Sequence, residues 1–259
     1  MNKIYIFDVD GTLTPSRQKM TKEFQEFFSK WSEKNKFYLV TGSDIEKLQE
    51  QMCYFDINAE RIFTCCGNQM WKPDPHITNI SAELIYDNKF EVPRKLNKLL
   101  GTILSNSRYP HRYGNHIEDR GSMVNFSIVG RDCTQEQRDE YFKWDNEKGE
   151  RKIIAQAVKE KFPDLDAVIG GQISVDIYPK GYDKSQILKH IKGHINVDSH
   201  TKTWADTFEY IFIGDRTMKG GNDYPLAQLL NHKDRPYGYA YQTEGWEHTQ
   251  RILENIYND

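Results

Sequence analysis

Short apolar runs recur along the chain at 3–7 (KIYIF), 37–41 (FYLVT), 61–64 (RIFT), 210–214 (YIFIG) and 237–241 (YGYAY). Runs this short and this continuous suit strands that a parallel sheet buries on both faces. Between the first two, Met20, Phe24, Phe27, Phe28 and Trp31 recur at spacings of three and four, the stripe of an amphipathic helix with Thr21 at its N-cap. Strand, helix and strand in this order predict βαβ units. The middle of the chain changes period: 122–129 (SMVNFSIV) and 172–178 (QISVDIY) alternate, as antiparallel strands do when one side is solvated or faces a site. Between them, Thr134-x-x-Gln137 forms a capping box that opens one helical segment. Ile154, Ala157, Val158 and Phe162 mark a second, and Gly149 separates the two. The expected fold is α/β: a parallel-sheet core over residues 1–82 and 182–259, with an α/β cap of antiparallel sheet and helices inserted at 83–181. Breaks at Ile80-Ser81-Ala82 and Pro179-Lys180-Gly181 set the hinges.

Composition narrows the class. The 259 residues suit one two-lobed enzyme better than a string of modules, and 37% apolar with 13% aromatic residues can fill a core. A formal net charge of −3 implies no general attraction to nucleic acid or anionic membrane. No apolar stretch approaches the roughly 20 residues of a membrane span, and MNKIYIFDVDGT enters a strand pattern without a signal-peptide layout, so a cytoplasmic protein is expected. Cys53, Cys65, Cys66 and Cys133 form no CxxC pair and read as reduced thiols.

The first strand ends in Asp8-Val9-Asp10-Gly11-Thr12-Leu13-Thr14. Two carboxylates two positions apart at a strand end point the same way, and their repulsion calls for Mg²⁺ between them or a shared proton. One can attack a phosphoryl group while the other moves a proton. This string is the signature of the haloacid dehalogenase superfamily, which the chain resembles. The superfamily's second motif resembles Thr41 in LVTGS, where a hydroxyl and a backbone N–H would hold a phosphoryl oxygen; a strand terminus before a turn is the plainer reading. Its motif-three lysine corresponds to Lys184, before a helix with Ile187, Leu188 and Ile191 facing inward. Its fourth resembles Gly214-Asp215 with Asn222-Asp223 beyond, Asp215 being a third metal anchor and Asp223 a further candidate or a helix cap.

In the middle of the chain, Arg120, Arg131 and Arg138 bring three guanidiniums around one antiparallel strand, with Arg120 at the strand entrance. Ser174 and Asp176 share a strand face that suits a sugar, or else solvent. DVDGTLTPSR, IVGRDCTQEQRDEYFKWD, IGGQISVDIYPKGYDK and IFIGDRTMKGGND together resemble the eukaryotic-type phosphomannomutases, in order and over nearly the whole chain. The resemblance implies a haloacid-dehalogenase-like core with a cap of the Cof-like class, Asp8 as phosphorylated nucleophile and Asp10 as general acid/base. It also implies Mg²⁺ on Asp8, the Asp10 backbone carbonyl and Asp215, with Asn222 and Asp223 as further candidates. Arg17, Arg120, Arg131, Arg138, Ser174 and Asp176 match the family's substrate-binding positions. Mannose 6-phosphate and mannose 1-phosphate, and the glucose phosphates, are the implied substrates, with a hexose 1,6-bisphosphate activator and a homodimer through the cap.

Three features depart from that pattern. Cys65-Cys66-Gly67-Asn68 stands where the family carries an acidic residue followed by Asn-Gly, and Thr41 stands where it carries glycine. Thr41 is closer to related sugar-phosphate phosphatases, which makes such a phosphatase the alternative expectation. A non-catalytic phosphosugar-binding protein is a remote third. The loop 199–209 is also longer than the family's.

Overall fold

The computed structural model describes residues 2–52, 58–74, 82–194, 208–231 and 238–258. Two compact units emerge. The first contains Met1–Asp87, Asp183–Lys219 and Asp223–Asp259; the second contains Asn88–Tyr182 and Gly220–Asn222.

The first unit is built on a seven-stranded sheet. In chain order its elements are β1 (Asn2–Phe7), α1 (Lys22–Ser32), β2 (Phe37–Val40), α2 (Ile45–Gln51), β3 (Arg61–Thr64), β4 (Gln69–Pro73) and β5 (Ala82–Asp87). The sheet order puts β1 between β2 and a later strand, Phe208–Gly214, and all five predicted apolar runs pair in parallel. β1 shows why: Tyr5 and Phe7 enter one apolar cluster with Phe24, Phe28 and Trp31 of α1, while Ile4 and Ile6 enter a second on the opposite face. Thr21 caps α1 by accepting from the Phe24 N–H at 3.3 Å. β4 and β5 are antiparallel additions at the sheet edge, largely half-buried, so neither shows as a continuous apolar run.

The second unit holds α3 (Arg94–Asn106), β6 (Ile117–Asp119), β7 (Val124–Ser127), α4 (Gln135–Lys148), α5 (Glu150–Lys161), β8 (Leu165–Gly170) and β9 (Ser174–Pro179). Its four strands are antiparallel in the order β6-β7-β9-β8. The Thr134/Gln137 capping box forms, and Gly149 ends α4 in the left-handed conformation at φ 68°. The strand expected at 122–129 narrows to β7, and all four of its residues are buried, so it has no solvated face. On α5, Ala155 and not Ala157 joins Ile154 and Val158 in the core. Ser174 and Asp176 lie on a polar face that is buried, 6% and 2% exposed, so solvent does not cover it.

The chain then returns to the first unit through a 3₁₀ turn at Lys184–Gln186, α6 (Ile187–His194), β10 (Phe208–Gly214), α7 (Tyr224–Leu230), β11 (Gly238–Gln242) and α8 (Trp246–Asn258). The first crossing lies after β5 at Asp87/Asn88, beyond the limit at 82/83, because β5 hydrogen-bonds into the first sheet. The second lies at Tyr182/Asp183. Residues 220–222, placed by sequence in the core, group with the second unit. Ile80, Ser81, Cys53 and most of the 199–209 loop lie outside the described residues. Cys65, Cys66 and Cys133 are free thiols.

Candidate active site

β1 delivers Asp8 into a turn that the backbone builds for itself. The Val9 carbonyl accepts from the N–H groups of Thr12, Leu13 and Thr14, at 3.1, 3.0 and 3.1 Å. Gly11 adopts φ 74°, and a Cβ there would stand 2.8 Å from an Asp215 carboxylate oxygen, so both the backbone and the space demand glycine. The turn thus brings the end of β1 against the end of β10.

Three carboxylates and one ammonium meet there. Lys184 Nζ donates to Asp8 Oδ1 at 2.7 Å and to Asp223 Oδ1 at 2.6 Å, and the lysine is fully buried. Asp8, Asp215 and Asp223 each present an oxygen within 4.8 Å of the others. Burial raises the Asp8 carboxyl well above its usual range, against the pull of Lys184, and the charges of Asp223 and Asp215 raise it further. Asp215 is pushed up to about 7, by burial first and by Asp223 second. Burial alone would lower Lys184, but Asp223 and Asp8 hold it above its ordinary value, so it stays charged. One ammonium cannot balance three carboxylates. An all-oxygen donor set with excess negative charge fits a hard divalent cation such as Mg²⁺.

Asp223 stands at the N-cap position of α7, yet its side chain makes no cap. It ties Lys184 to the Arg216 N–H, on which its Oδ2 accepts at 2.9 Å. Asp10 points elsewhere and is not in the carboxylate cluster. Its Oδ1 accepts from the Arg17 N–H at 2.7 Å and Gln51 Nε2 at 2.8 Å, and its Oδ2 accepts from Ser43 Oγ at 3.3 Å. Arg17 carries a left-handed backbone, φ 58°, to bring its N–H there. Thr41 follows β2 beside this group, and its own backbone N–H donates to Phe63 O at 2.8 Å in the sheet. Its hydroxyl accepts from the Ser43 N–H at 3.0 Å and keeps its own proton to donate.

The cap candidates divide. Arg120 sits in the turn between β6 and β7, and with Arg131 it shares Glu118. Arg131 Nη1 reaches Ser174 Oγ at 3.3 Å. Arg138, buried on α4, donates from Nε to Gln172 at 3.2 Å. Asp176 accepts from Asn125 Nδ2 at 2.7 Å and from Asn222 Nδ2 at 3.5 Å. Asn222, offered as a metal candidate, spends its Nδ2 on Asp176. Ser43, Gln51, Glu118, Asn125 and Gln172 escaped the sequence reading. Gln51 alone left a trace, as a polar residue three positions after Leu48 on the stripe that α2 buries.

A carboxylate-bearing turn after the middle one of five parallel strands, an inserted α/β unit and a buried Asp-Lys-Asp cluster define a haloacid-dehalogenase-like fold. Solved structures agree on the fold. A haloacid dehalogenase-like hydrolase from Bacteroides thetaiotaomicron matches with a TM-score of 0.55 at 16% identity, over 99% of this chain and 100% of that one. The trehalose-6-phosphate phosphatase C-terminal domain of C. albicans matches at 0.56 and 16%, over 98% and 91%.

The eukaryotic phosphomannomutase family model matches residues 24–259, and the chain belongs to that family. The Drosophila melanogaster phosphomannomutase is 33% identical, over 98% of this chain and 94% of the relative. The Encephalitozoon cuniculi phosphomannomutase is 35% identical over 89% and 85%.

Proposed function

We propose that this chain is a phosphohexomutase that interconverts mannose 6-phosphate and mannose 1-phosphate through a phospho-aspartyl enzyme and a hexose 1,6-bisphosphate. Its family membership, with Asp8 held by Lys184 in the first unit, carries the reading. Asp8 attacks the phosphorus in line; a bond to its oxygen forms as the bond to the sugar oxygen breaks, and Asp10 gives the departing oxygen its proton. In the reverse transfer Asp10 takes the proton from the other sugar hydroxyl. The hydrogen bonds from Arg17, Gln51 and Ser43 hold Asp10 in one orientation for both transfers. Arg120, Arg131 and Arg138 bind the phosphate that is not reacting, and Ser174 and Asp176 bind the sugar. Glucose phosphates are further substrates.

Asp8, Asp215 and the Asp10 backbone carbonyl, with Asp223 close by, would hold Mg²⁺, which would supply positive charge for the phosphoryl oxygens. Binding it requires ionised carboxylates. Because the Asp215 value is raised in the fold, its contribution to stability is complete below about pH 4 and is lost as the pH rises through about 7. Mg²⁺ is therefore expected to raise the melting temperature more at pH 8 than at pH 5, compared with chelated protein by calorimetry. An equal rise at both would contradict ligation by this cluster.

A cap-mediated homodimer in the cytoplasm completes the reading. Among the described residues no helix is long and apolar enough to cross a membrane. A sugar-phosphate phosphatase is the second reading, favoured by the Thr41 hydroxyl beside Ser43 and by the Cys65-Cys66 loop. Incubation with glucose 1,6-bisphosphate followed by acid quench and peptide mass analysis tests the two. The mutase predicts a phosphoryl group on Asp8 that mannose 1-phosphate discharges faster than water; faster discharge by water supports the phosphatase.

A further inference from the structure

In the second unit the carboxylate of Glu118 lies between two guanidiniums. Its Oε2 accepts from Arg120 Nε at 3.0 Å and from Arg120 Nη2, and Arg131 Nη2 stands 3.3 Å from the same oxygen. The two arginine side chains are nearly withdrawn from solvent, at 3% and 8% exposure, while that of Glu118 keeps 31%. Arg131 also spends Nη1 on Ser174, and its Nε–H is buried without an acceptor among the described residues. A donor in that position has capacity for a further anionic oxygen.

Arginine pairs with carboxylate and with phosphate through the same planar fork. Withdrawn guanidiniums are costly to leave unpaired. Some anion must therefore face Arg120 and Arg131 at every stage of a reaction in which phosphates come and go. Glu118 is the member of the group best placed to leave, since a side chain that already meets water regains hydration at small cost.

We propose that Glu118 is an internal competitor for the phosphate-binding arginines. It occupies Arg120 and Arg131 when no phosphate is bound, is displaced when one arrives, and returns when one departs. The inference rests on the mutase reading and deepens it. A bisphosphate intermediate must release its distal phosphate, turn, and present the other end, so an arginine cluster that gripped phosphate too tightly would stall the cycle. Glu118 caps that grip. Glu118 acts through the arginines and not on the sugar.

The test is calorimetric titration of the full chain with Mg²⁺ present, using inorganic phosphate and mannose 1-phosphate as probes. Glu118→Gln is expected to bind both about tenfold more tightly than wild type, the equivalent of ~1.4 kcal/mol. In turnover its KM for mannose 1-phosphate falls, and kcat falls with it as release becomes slow. Unchanged or weaker binding by Glu118→Gln overturns the proposal, because a residue that merely aligned the arginines would weaken binding when removed. Glu118→Asp, which keeps the charge but shortens the reach, is expected to bind more tightly than wild type by a smaller factor. It decides the matter if the glutamine variant does not fold, and weaker binding again overturns the proposal. The two readings fail separately. Tighter phosphate binding in a protein that isomerises no sugar removes the mutase and keeps the competitor. Isomerisation with unaltered affinity in Glu118→Gln does the reverse.

Discussion

Replacing Asp8 by asparagine is expected to reduce turnover on the order of 10⁴-fold or more, the scale seen when a covalent nucleophile is removed from an enzyme. An amide nitrogen or oxygen cannot accept the phosphoryl group and return it. The fold is expected to survive, because asparagine is nearly the size of the aspartate it replaces and Lys184 keeps Asp223 at 2.6 Å. Burial already raises the Asp8 carboxyl far above its usual range, so a neutral group is tolerated there. A melting temperature within about 4 °C of wild type, roughly 1–2 kcal/mol for a chain of this size, separates loss of chemistry from loss of structure. Comparable turnover in the variant would remove Asp8 from the mechanism.

Lys184→Met is expected to act on both. The ammonium is fully buried between Asp8 and Asp223, and its removal leaves three carboxylates without their internal cation. Breaking a buried pair from one side costs about 3–5 kcal/mol. The sign with pH follows from the groups that remain. Lys184 pulls the Asp8 value down, so without it Asp8 rises further and becomes neutral at higher pH. The deficit is therefore greatest in alkaline solution and shrinks toward acid, where the carboxylates protonate. Activity is expected to fall by about 10²–10³-fold, as when one charged group that stabilises a transition state is lost. Urea unfolding of wild type and variant at pH 5 and pH 8 checks the first part, and steady-state rates the second. A deficit of the same size at both pH values would show that the charge of Lys184 is not what the cluster needs.

These two positions were legible in the sequence because chemistry and pattern coincide at them. Asp8 follows an apolar run in a string dense with turn-forming residues, and Lys184 precedes the inward stripe of Ile187, Leu188 and Ile191, all buried. The parallel core was legible for a similar reason: strands buried on both faces read as unbroken apolar runs. β4 and β5 were not, since a half-buried edge strand mixes polar and apolar residues in no clear period. α3 has no side-chain cap and begins after Pro93, so its start carried none of the signals that marked α1 and α4.

Long-range pairings account for the remaining gaps. Gln51 reaches Asp10 across 41 positions of sequence, and Asn125 reaches Asp176 across 51. Nothing local distinguishes such a glutamine or asparagine from a solvated one. Glu118 illustrates the same limit, two residues from Arg120 and invisible as its partner until the β6–β7 hairpin folds them together.

The central claim is that phosphate moves between two ends of one sugar without passing to water. A phosphorus NMR time course of the full chain with Mg²⁺, mannose 1-phosphate and a trace of glucose 1,6-bisphosphate tests it directly. The account predicts a growing 6-phosphate resonance at constant total sugar phosphate. Inorganic phosphate growing alone, with no 6-phosphate signal, would contradict it.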